Sequence, residues 1–144
     1  MKKFLLLLSL FSTAVFAAPG CYNSREVSYL STELARESRQ IVQGGRFSRR
    51  GDRLTAEAKR LAWAAWELSQ AATAGFPCRR LESLFHEKVE PAFKDLMQLV
   101  RGPRREDHTE EIKDIRRAFQ DLRKELMEDN GRGPRYPYPT PVRH

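Results

Sequence analysis

Leu54, Ala58, Leu61, Ala65, Leu68 and Ala72 recur at alternating steps of four and three. That period belongs to a helix, and a seam of alternating Leu and Ala lets a neighbouring helix approach closely. Three other stretches carry stripes of the same kind, and Gly or Pro punctuates the chain between them. Val27, Leu30, Leu34 and Ile41 mark the first, with Asn23 and Glu26 spaced as a capping box and Gly44-Gly45 as the stop. Asp52 is the expected cap of the second, the Leu/Ala helix, which Gly75 and Pro77 end. The third uses Leu81, Phe85, Val89, Ala92, Leu96 and Val100 and stops at Gly102-Pro103. The fourth has Asp107 as cap and Glu110 as its box partner, then Ile112, Ile115, Phe119, Leu122 and Leu126, with Asn130-Gly131 beyond.

A proline inside a helix deletes one backbone donor and crowds the preceding turn. Pro91 therefore predicts a kink between Glu87 and Pro91, or two shorter helices in line. No stretch shows strand alternation, a nucleotide-type glycine loop or an internal repeat. Amphipathic helices need one another to bury their stripes, and short connections favour antiparallel neighbours. The expected fold is all-α, an up-down-up-down four-helix bundle over residues 18–131 with a kinked third helix.

The first seventeen residues read as a secretory signal. Lys2 and Lys3 precede the apolar run Phe4 to Leu10, and small residues stand at the expected cut after Ala17. The apolar stretch is too short for a membrane span, which needs about twenty residues. Export to the bacterial periplasm or beyond is the expected localisation. Removing Lys2 and Lys3 reduces 26 basic side chains to 24 against 19 acids, so the net charge falls from +7 to +5. A solvated surface accounts for much of that charge.

In an exported protein a pair of cysteines usually becomes a disulfide. Cys21 precedes the first helix and Cys78 opens the third, so an up-down-up-down bundle brings both to one end. Closing a loop of this size stabilises a fold by about 4 kcal/mol in the chain-entropy model. The rival use of Cys21 is lipid attachment after the signal. Its context, Ala18-Pro19-Gly20-Cys21, supplies the Gly of that pattern but lacks the Leu three residues earlier.

The connections at the opposite end are rich in arginine. Arg46, Arg49, Arg50 and Arg53 come from the one between helices one and two; Arg101, Arg104 and Arg105 come from the one between helices three and four. Guanidinium groups gathered at one pole bind phosphate or carboxylate through paired hydrogen bonds. They serve equally as solubilising loop residues that pair with helix C-terminal carbonyls. Trp63 and Trp66 lie on the outer side of the Leu/Ala seam. The wide buried arc of a bundle predicts that a second neighbour or the C-terminal tail covers them; left bare, they are a partner-docking patch. Residues 132–144 alternate proline at 134, 137, 139 and 141 with Tyr136 and Tyr138, a pattern for an extended or disordered tail.

Redox and metal chemistry find little here. The chain has no Cys-x-x-Cys-His, and neither His86 nor His108 follows a Glu by three residues, the spacing of a di-iron site. A haem held by His86 with Met97 or Met127 is the cofactor alternative, and an enzyme with unidentified residues is another. The Leu-Thr-x-x-Gln motif of helical envelope chaperones finds only Leu54-Thr55. Neither a basic recognition helix nor aromatic interleaving favours nucleic acid. No cofactor and no metal is expected. The sequence points to a small exported, non-catalytic binding protein that contacts anionic partners through its arginine-rich pole.

Overall fold

The computed structural model describes residues 21, 23–44, 51–101 and 109–128. The expected signal segment, the tail, Asp107 and the Asn130-Gly131 stop lie outside them. Five helical segments follow in order: α1 (Ser24–Gly44), α2 (Gly51–Thr73), α3 (Cys78–Leu84), α4 (Glu90–Leu99) and α5 (Thr109–Glu128). A π-helical turn, Phe85–Val89, joins α3 to α4, so these two continue one rod. No described residue is in a strand, and the protein is all-α.

The four stripes read from the sequence form one core. Val27, Leu34 and Ile41 of α1 are fully buried, as are Ala58, Leu61, Ala65 and Leu68 of α2. Leu81, Phe85, Val89, Ala92 and Leu96 meet them from the third rod, and Ile115, Leu122 and Leu126 from α5. Phe119 stands between two rings, 3.7 Å from Phe93 and nearly parallel to it, and 5.3 Å from Phe85. Burial of one such apolar side chain contributes about 1.5–3 kcal/mol.

Side-chain pairs fix how neighbours run. Ser28 bonds Thr73 and Thr32 bonds Ser69, so α1 and α2 point in opposite directions. Arg60 pairs with Asp95 and Lys88 with Glu67, which gives the same relation between α2 and the third rod. Phe93 on Phe119 and Met97 on Arg116 repeat it for α4 and α5. Two buried serines of α1 are satisfied within the helix: Ser31 donates to the Val27 carbonyl at 2.6 Å and Ser38 to that of Leu34 at 2.7 Å.

Helix ends follow from the punctuation. Gly75 has φ +81°, which lets the Phe76 and Gly75 N–H groups turn back to the carbonyls of Ala71 and Ala72 and close α2. Pro77 then offers its carbonyl to Arg80 and Leu81, opening α3. Two expectations are corrected. α2 begins at Gly51, so Asp52 sits inside its first turn rather than capping it. The Asn23 carbonyl accepts the first helical N–H, from Val27, but its side-chain amide donates to the Glu125 carbonyl at the end of α5 (2.9 Å).

Around Pro91 the helical pattern is altered, and the alteration lies ahead of the proline. The Glu90 N–H bonds back to Phe85, one residue further than in an α-helix, and dihedrals stay helical at Leu84, Phe85 and Glu90. A widened turn relieves the crowding that the proline ring imposes on the turn before it.

Cys21 and Cys78 form a disulfide with Cα atoms 4.5 Å apart. The bridge uses the thiol that a lipid anchor at Cys21 would need. Asn23 lies beside it, its Oδ1 2.8 Å from the Cys21 sulfur. The Cys21 N–H also reaches the Phe76 carbonyl. The start of α1, the end of α2, the start of α3 and the end of α5 are thereby tied together at one end.

Candidate functional site

The outward side of α2 is built by the same periodicity as its core side. Ala56, Lys59, Trp63, Trp66 and Gln70 follow one another at steps of three or four, and every one is exposed. The residues other than the tryptophans are polar or small, so no packing partner is required along this line. Trp63 is 66% exposed and Trp66 40% exposed. Their rings rest on each other, 5.1 Å between centroids and tilted by 35°. No described helix covers them, which corrects the expectation of a second helical neighbour; the other expected cover, the C-terminal tail, lies outside the described residues. α1 meets α2 through Ser69 and Thr73, and the third rod meets it through Arg60 and Glu67, which leaves the arc between these two edges bare.

Of the seven arginines singled out in the sequence, Arg53 and Arg101 are described, and both are exposed. Arg46, Arg49, Arg50, Arg104 and Arg105 lie outside the described residues. Arg53 precedes Arg60 by two helical turns, and Arg101 follows Asp95 by six residues. Because Arg60 and Asp95 are in contact at 2.7 Å, Arg53 stands about two helical turns further along α2 and Arg101 just past the end of α4, both away from the disulfide.

The residues of the haem alternative are otherwise engaged. His86 is exposed and its Nδ1 lies 2.7 Å from Glu90 Oε2. Met97 is buried, and its sulfur accepts the Arg116 Nε–H at 3.3 Å. Met127 is half-buried against the core. The His86 hydrogen bond, and after it Lys94, hold the Glu90 carboxyl below the usual carboxylate range in spite of partial burial. Among the described residues no group of three or more His, Cys, Asp or Glu is placed to hold a metal ion.

The Trp pair was the site feature hardest to place from sequence. Its usable signal was the company it keeps: Lys59 and Gln70 share its line, whereas Leu and Ala occupy the opposite one. Comparisons with protein families, curated proteins and solved structures find no match for this chain. No helix among the described residues is long and apolar enough to cross a membrane. That observation and the Cys21–Cys78 pair are compatible with an exported protein.

Proposed function

We propose that this is a small exported, non-catalytic binding protein of the bacterial envelope that contacts anionic partners through an arginine-rich pole of an up-down-up-down bundle. The observation that carries the reading is the shared height of exposed Arg53 and Arg101 on adjacent rods, at the end away from the disulfide. The pairwise opposite directions of neighbouring helices support the topology. α1, α2 and α5 have 21, 23 and 20 residues, so helices tied at the disulfide end finish at similar heights. Arg46, Arg49 and Arg50 belong to the connection from Gly44 to Gly51, and Arg104 and Arg105 to the one that leads into α5. Planar guanidinium forks suit phosphate and carboxylate oxygens, and a basic pole attracts them over a Debye length.

The test is salt-dependent binding of polyphosphate, a soluble polyanion. Binding is expected at low ionic strength, to fall as salt rises, and to vanish when Arg46, Arg49, Arg50, Arg104 and Arg105 are replaced by Gln. Undiminished binding by that variant retires the pole.

A further inference from the structure

We infer that the exposed tryptophan pair of α2 is the docking platform for this chain's own proline-rich tail, with the uncharged stretch 136–142 laid over Trp63 and Trp66 as a polyproline-II segment. The arginines of the pole take no part, so the inference stands apart from the anion-binding reading.

Three observations select this occupant. The first is where the described chain ends and how much follows it. The Asn23 amide holds the Glu125 carbonyl at 2.9 Å, the Asn23 Oδ1 lies 2.8 Å from the Cys21 sulfur, and the Cys21 N–H reaches the Phe76 carbonyl. With ordinary bond lengths between them, these links keep the end of α5 within about 15 Å of Phe76, just past the end of α2. Trp66 precedes Thr73, the last residue of α2, by about two helical turns, so the whole route is on the order of 30 Å. Residues 129–144 follow α5, and at about 3.1 Å per residue an extended chain covers that route by Pro139. Phe76, 39% exposed, lies on the way.

The second is charge. From Tyr136 to Val142 the tail carries no charged side chain. The pair it meets is equally undriven by charge: Gln70 borders it on the side from which the tail arrives, and at the margin Arg60 cancels Asp95 and Lys88 cancels Glu67. Lys59 stands one turn beyond Trp63, past the pair. Ring stacking and hydrogen bonding are left as the recognition chemistry.

The third is shape and area. Polyproline-II segments dock on aromatic surfaces because they are already ordered and lose little entropy on binding. With three residues per turn, Tyr136, Pro139 and Val142 share one edge and Tyr138 and Pro141 a second, so apolar groups fill two edges of three. At 66% and 40% exposure the two indoles offer on the order of 250 Å². A stable interface with a second copy needs about 800 Å² per partner, and the pair falls well short of it. A tethered tail needs no such area, because a short linker holds it at an effective concentration on the order of millimolar.

The two tryptophans are the only ones in the chain, so its tryptophan emission reports on this face alone. The experiment compares acrylamide quenching of the full disulfide-bonded chain with that of an equally long chain carrying Tyr136→Ser, Pro137→Ser, Tyr138→Ser, Pro139→Ser and Pro141→Ser. The unaltered chain is expected to emit further to the blue and to be quenched at least about twofold less, independently of protein concentration. In a second measurement, trypsin is expected to cleave after Arg135 at least about threefold faster in Trp63→Ala/Trp66→Ala than in the unaltered chain, with helical content retained. Equal quenching of the two chains, or equal cleavage after Arg135, would overturn the inference. So would protection that grows with protein concentration, because a second copy would then be the occupant.

Discussion

α2 presents two lines of side chains with the same helical spacing and opposite fates. Leu61, Ala65 and Leu68 on one side are fully buried, and Lys59, Trp63 and Trp66 on the other are exposed. The inner line packs against α1 and the third rod, whereas the outer one faces the gap between the contacts those two make. Size and hydrophobicity do not separate the two, since tryptophan is larger than leucine. Burial follows from where neighbours stand, and those neighbours are held by pairs such as Ser28–Thr73 and Arg60–Asp95.

If that contrast is real, perturbations that act on the inner network should cost far more than those on the outer line. The largest expected effect is at the Cys21–Cys78 bridge, which closes a separation of 57 residues. Replacing both cysteines by Ser is expected to lower unfolding free energy by about 4 kcal/mol, read by urea denaturation of the two forms. Leu68→Ala comes next, at about 3 kcal/mol, because a fully buried side chain leaves a cavity among packed neighbours. Trp63→Ala should change stability by less than about 0.5 kcal/mol in the same titration, as a substitution away from the core. A Trp63→Ala cost near that of Leu68→Ala would erase the distinction between the two lines.

The smallest effect concerns a pair outside both. Glu90 has its folded-state pKa depressed by His86 and then Lys94. Its contribution to stability is complete above the ordinary carboxylate range and is lost as pH falls through the folded value. Each exposed pair of this kind contributes about 0.3–0.5 kcal/mol. Glu90→Gln should therefore lower stability slightly at neutral pH and flatten the acid limb of the stability profile, while leaving the lowest pH range unaffected.

The helices and their buried faces were legible because a stripe such as Leu81, Phe85, Val89, Ala92 and Leu96 is set by local period alone. The cysteine pair was legible for a related reason, since Cys21 precedes α1 and Cys78 opens α3. Pro91 announced an interruption but not its form. The π turn at Phe85–Val89 preserves the apolar stripe, so periodicity gives no sign of it. Asn23 was recognisable as a helix-start residue, but its side chain answers to Glu125, 102 residues away, and such a partner is invisible to local pattern. The tryptophans were hard to place for the same reason: whether a wide apolar arc is covered depends on which helices flank it. For the pole, Arg53 and Arg101 can be placed, and the remaining five arginines lie outside the described residues.

Collisional quenching of the chain with the five tail substitutions is the most direct measurement of the central claim, that no helix covers the outer side of α2. With Trp63 and Trp66 as the sole tryptophans, acrylamide and iodide should quench nearly all emission at rates close to those of a small water-exposed indole. Emission characteristic of an apolar setting, with both quenchers shut out, would mean that a second copy or a repacked helix covers this side, and would contradict the account.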